Sequence, residues 1–86
     1  MKRSKDVIIS QILDICLPGA GKTKIVYQAN LNFRTVNPYI DMLTKNGLIE
    51  TLHGSLVVYK TTEKGTKMLK DFKSIYSELP ELYSVI

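Results

Sequence analysis

Two stretches of the sequence hold side chains able to do specific chemistry. The first, Gly19-Ala-Gly-Lys-Thr23, ends like the phosphate loop G-x-x-x-x-G-K-[ST], in which backbone amides cradle phosphates while the lysine and hydroxyl serve the terminal phosphates and magnesium. Counting back five positions from Gly21 gives Cys16 instead of glycine, and the preceding residues follow a helical pattern where a strand is needed. A chain of 86 residues also lacks room for the parallel sheet of such a site. A helix end, a turn and the basic start of another helix account for this segment better.

The second stretch, Lys22 to Gly47, reads KTKIVYQANLNFRTVNPYIDMLTKNG. Arg34, Thr35, Asn37 and Asp41 carry the groups that match base edges. An arginine fork pairs with guanine O6 and N7, an asparagine amide with adenine, and a carboxylate accepts from the cytosine amine. Lys22, Lys24, Tyr39, Lys45 and Lys60 are suited to hold a phosphate backbone. Two assignments stay open at this level: Arg34 can serve instead as a phosphate contact, and Asp41 can equally pair with Lys45 one helical turn away.

These groups need a scaffold, and the spacing of apolar residues supplies one. Ile8, Ile9, Ile12, Leu13, Ile15 and Cys16 make a helix over Ser4–Leu17, with Ser4 as its cap and Pro18-Gly19 as its stop. Lys2, Arg3 and Lys5 at its start either reach a phosphate backbone or, as is more common, form a frayed, solvated terminus. Thr23–Ala29 forms a second helix with Ile25, Val26 and Ala29 inward, and Asn30-Leu31-Asn32 makes the turn, with Leu31 buried. In the third helix, about residues 33–46, Phe33, Val36, Ile40 and Leu43 step by 3, 4 and 3 along an inner face. A cap at Thr35 makes Pro38 its third residue, whereas a cap at Asn32 makes it the sixth and distorts the helix. Gly47 stops it.

After Gly47 the period changes. Leu48–Leu52 and Leu56–Thr61 read as a β-hairpin around His53-Gly-Ser55, with His53 and Ser55 either DNA contacts or plain exposed turn residues. Thr62 caps a last helix, Glu63–Leu79, on which Leu69, Phe72, Tyr76 and Leu79 repeat by 3, 4 and 3. Pro80 ends it before an apolar tail containing Leu82. This face either packs on its own domain or joins a second copy. The order of elements predicts a mainly α fold with a small β-hairpin, a winged helix-turn-helix, with residues 1–61 as the DNA-binding domain and 62–86 as a dimerisation element.

Composition agrees with one folded domain: 44% of residues are hydrophobic and 23% charged. The net charge of +4 is unevenly placed. Residues 1–61 hold eight basic against four acidic side chains, and 62–86 hold four of each, so the excess suits a polyanion on the first part alone. A single cysteine excludes an internal disulfide or a multi-cysteine zinc site, and a lone histidine is no metal site. Asp6, Gln11 and Asp14 interrupt the basic-then-apolar start that would otherwise suggest a signal peptide, so the expectation is a cytoplasmic, nucleoid-associated protein.

The segments SKDVIISQILDIC, KTKIVYQANLNFRTVNPYIDMLTKNGLIE and YKTTEKGTKML cover about residues 3 to 70. They resemble the small archaeal winged-helix DNA-binding proteins of the 10a chromatin-protein family and the archaeal transcriptional-regulator-like proteins around it. The YQANLNF and TEKG pieces are the most specific. The resemblance implies duplex DNA binding with the third helix in the major groove, and dimerisation through the C-terminal helix, often as an antiparallel coiled coil. The short last helix, stopped by Pro80, departs from that pattern and favours a compact dimer. The expected partners are double-stranded DNA and a second copy, with no cofactor, membrane or small-molecule ligand evident. A protein-interaction winged helix is the rival reading. No carboxylate pair or cysteine–histidine set suggests an enzyme.

Overall fold

Three of the helices start where a polar side chain meets their free amides. The Ser4 hydroxyl accepts from the Val7 N–H, the Asn32 carbonyl oxygen from Thr35, and the Thr62 hydroxyl from Gly65, at 3.3, 2.8 and 3.0 Å. A computed structural model describes residues 3–78 and gives α1 (Lys5–Ile15), α2 (Lys22–Ala29), α3 (Phe33–Lys45), β1 (Ile49–Leu52), β2 (Val58–Thr61) and α4 (Glu63–Glu78). α2 starts at Gly21 without a side-chain cap. Asn30 takes the left-handed conformation (φ 55°) between α2 and α3, which lets the chain reverse within the three predicted turn residues.

The core collects one face of every element. Ile12, Leu13 and Cys16 from α1 meet Ile25 of α2, Val36, Ile40 and Leu43 of α3, Leu48 and Ile49 at the start of the hairpin, and Leu69 of α4. Leu31, expected to be buried, is half-buried and packs against this cluster. Phe33 does not. It is 47% exposed, because the cap at Asn32 makes it the first residue of α3, ahead of the turn that reaches the core.

β1 and β2 pair antiparallel, with Ile49 opposite Thr61 and Leu52 opposite Val58. The connecting loop is five residues, 53–57, longer than the predicted three, and Leu56 and Val57 lie exposed in it instead of in the strand. Ala20 adds a single rung on the other side of β2. Its N–H donates to the Tyr59 carbonyl at 2.9 Å and its carbonyl accepts from Tyr59 at 2.8 Å. The glycine-rich stretch after α1 is therefore part of a small sheet and then a helix start, following a helix, which removes the geometry of a phosphate loop.

Gly47, at φ +74°, turns the chain from α3 into the hairpin. Where α4 begins, four segments converge. The Thr62 hydroxyl donates to the Gly47 carbonyl at 2.6 Å, the Thr62 N–H to the Leu48 carbonyl at 3.0 Å, and the Lys64 ammonium to the Asn46 carbonyl at 2.8 Å. One residue back, the Thr61 hydroxyl donates to the Leu13 carbonyl at 2.6 Å and its N–H to that of Cys16 at 3.0 Å. Gly65 permits the approach. A Cβ there would lie 2.1 Å from the Leu48 carbonyl oxygen and 2.7 Å from the Thr61 methyl carbon.

Gly65→Ala tests this packing because helix propensity alone would favour alanine by about 1 kcal/mol. The contact with backbone forces a shift, so the expected net change in urea unfolding is a loss of about 1–3 kcal/mol. A variant as stable as the parent would contradict the close approach.

Candidate nucleic-acid interface

Arg34, Pro38, Asp41 and Lys45 step by 4, 3 and 4 along α3, and all are exposed. They form a continuous stripe opposite the buried Val36, Ile40 and Leu43. The cap at Asn32 decides between the two predicted registers and makes Pro38 the sixth helical residue. Proline has no N–H to return to the Arg34 carbonyl, a loss tolerated here because the residue sits on the solvent side. No ion pair joins Asp41 to Lys45. Among the described residues the pair within 4 Å is Lys73–Asp14, at 3.3 Å and largely exposed. The carboxylate of Asp41 and the ammonium of Lys45 both lie exposed at the surface.

The other predicted base-facing residues lie on the shoulders of the stripe. Thr35 and Asn37 are half-buried, and the Asn37 side-chain oxygen Oδ1 is shielded without a hydrogen-bond partner among the described residues. Tyr39 is half-buried against the core, next to Lys5, Ile9, Pro38 and Met42. Lys24 is exposed on α2, whereas Lys22 is half-buried with its ammonium 5.9 Å from the centre of the Tyr59 ring. At the wing, His53 and Ser55 are exposed in the loop, and Lys60 stands opposite Glu50 in the strand register.

This arrangement of helices and hairpin has counterparts among known proteins. A family model described as winged helix-turn-helix matches residues 2–79. The chain belongs to the winged helix-turn-helix family. This winged helix is 37% identical over 86 residues to an uncharacterized protein of the archaeon Methanocaldococcus jannaschii, a match covering 99% of this chain and 78% of that protein. Its fold also resembles Sso10a-2, a DNA-binding protein from Sulfolobus solfataricus, with a TM-score of 0.85 and 28% identity over 96% of this chain and 88% of that one. The PcaV transcriptional regulator from Streptomyces coelicolor shares the fold alone, with a TM-score of 0.75 and 14% identity over 95% of this chain and 60% of that one. The archaeal relatives and the fold agree with the resemblance read from the sequence.

Several features of this winged helix were not legible in its pattern. Arg3, read from the sequence as either a phosphate contact or part of a frayed terminus, turns inward: its guanidinium donates to the Gln11 side chain at 2.8 Å and to the carbonyls of Ala29 and Asn30. A cation suits the carbonyl end of α2, but the partner is 26 residues away and nothing local marks it. Tyr27 is 83% exposed on α2, and Leu52, Leu56 and Val57 are exposed on the wing beside His53 and Ser55. On α4, Leu69 and Tyr76 are buried within the single chain, Phe72 is half-buried and stacked on Tyr76 at 6.2 Å, and Ile75 is 48% exposed. Leu79 and Leu82 lie outside the described residues. The described residues hold no group of three or more His, Cys, Asp or Glu able to bind a metal, and no described helix is long and apolar enough to cross a membrane.

Cys16 is fully buried, and desolvation pushes its thiol from 9.0 up to about 11, with Lys24 pulling weakly the other way. Between these values the unfolded chain sheds its thiol proton and the folded chain keeps it, so the stability due to Cys16 falls as pH rises. The difference in unfolding free energy between the parent and Cys16→Ala should shrink from pH 9 to pH 11. A difference that does not vary with pH would contradict the buried neutral thiol.

Proposed function

We propose that this chain binds double-stranded DNA as a dimer, as a transcriptional regulator or nucleoid-associated protein, with α3 in the major groove. The observation that carries the reading is the unpaired stripe Arg34–Pro38–Asp41–Lys45 on the helix that follows the α2–α3 turn. The likeness to a DNA-binding protein and to a transcriptional regulator supports it. Arg34 and Asp41 face bases, with Thr35 and Asn37 reading from the shoulders. Lys22, Lys24, Lys45 and Lys60 meet phosphates, with Tyr39 behind them and His53 and Ser55 at the wing. Asn37 reaches adenine only by turning its amide outward. The uncapped start of α2 offers backbone amides beside Lys22 and Lys24.

The dimer contact we propose uses Phe72 and Ile75 on the open shoulder of α4; Leu79 and Leu82, assigned to it from the sequence, lie outside the described residues. Leu69 and Tyr76, already buried, then support that shoulder from beneath. One observation favours the second reading, a protein-interaction module: the wing carries no formal charge between Glu50 and Lys60 and exposes Leu52, Leu56 and Val57.

Selection of sites from a random duplex library tests the leading reading. Arg34→Ala should flatten the base preference at one position of each half-site, worth about 1–3 kcal/mol, while Lys24→Ala weakens all sequences alike. Identical preference profiles for the two variants would sink the assignment. Light scattering at micromolar concentration should give twice the chain mass, and Ile75→Lys should shift it toward the single mass. A parent that stays at the single mass would remove the dimer.

A further inference from the structure

α3 does not close fully onto α1. Between the two helices lies an open groove of about 260 Å³, lined by Lys5 and Ile9 of α1 and by Pro38, Tyr39 and Met42 of α3. Its walls are a branched aliphatic chain, a proline ring, a thioether and a tyrosine. Lys5 is the one charged lining residue, and it joins no ion pair among the described residues; Asp6, the acid next to it in sequence, is not part of the lining. An apolar cavity of about 150 Å³ accommodates a benzene ring, so this groove has space for a ring with a short substituent. The charge complement of an ammonium at such a rim is a small anion.

We propose that this groove is an effector site for a small apolar monocarboxylate of about the size of an aromatic acid. The hydrocarbon body lies against Ile9, Pro38 and Met42, and the carboxylate meets the Lys5 ammonium. Three of the five lining residues belong to α3, and Pro38 is shared with the exposed stripe, so an occupant packs against the element proposed to read DNA. That regulatory consequence rests on the DNA-binding reading; occupancy of the groove does not.

NMR titration of the full chain with benzoate, benzyl alcohol and benzylammonium tests it. Benzoate should give saturable shifts at Ile9, Tyr39 and Met42, with a Kd of about 1–10 mM for so small a ligand. Benzyl alcohol should bind more weakly and benzylammonium least. Lys5→Glu should weaken benzoate about five- to tenfold and reverse the order of the charged pair. Met42→Trp, at a partly exposed position that tolerates size, should block all three. Absence of saturation, equal affinity for the three probes, or groove signals that move with protein concentration alone would overturn the site; the last would mean that a second copy covers it. Duplex affinity measured with the groove saturated then tests regulation. An unchanged affinity overturns the effector role, whereas failure of any duplex to bind counts against the DNA reading and leaves the NMR result standing.

Discussion

The contact of the first turn of α4 with the backbone at Leu48 holds the rest of the molecule in register. Gly65 lets two backbones touch where any side chain would collide, and Thr62 and Lys64 satisfy the carbonyls of Asn46, Gly47 and Leu48. Those carbonyls belong to the end of α3 and the entry to β1. Thr61, at the end of β2, is bonded in turn to the Leu13 and Cys16 carbonyls at the end of α1. The exit of α3, both ends of the wing and the base of α4 are therefore fixed by one small set of hydrogen bonds. Movement of α4 would shift the angle between the helix stripe and the wing.

From that frame follows a division of labour on α3. Its inner face is wholly apolar and buried, so its orientation is set by Val36, Ile40 and Leu43. The outer stripe can then carry an arginine, a carboxylate and a lysine that form no ion pair among the described residues. Unpaired charges in water cost little and stay available to a partner. Pro38 fits the same logic, since a missing amide is tolerated only where solvent reaches.

Most of the architecture was readable from the sequence because it rests on local rules. Ser4 and Thr62 are caps, Asn30 takes a left-handed turn, Gly47 stops α3, and the change from a helical to a β-rich pattern marks the hairpin. What escaped depends on distant partners. Arg3 could not be assigned to the end of α2 from its neighbours, and Phe33 fits the apolar spacing yet falls one turn short of the core. Gly65, conspicuous in TEKG, gave no hint that Leu48 lay against it. The candidate site was legible as a stripe of residue types. Which members share a face depended on the cap at Asn32, and that turned Asn37 and Tyr39 toward the shoulders of the helix.

The central claim is that this surface neutralises a phosphate backbone. Fluorescence anisotropy of a labelled duplex at increasing salt measures it most directly. The account predicts binding at low salt and a linear fall of log K with log salt, with a slope of about −0.9 for each phosphate contacted. Absence of binding to any duplex at low salt, or an affinity indifferent to salt, would contradict it.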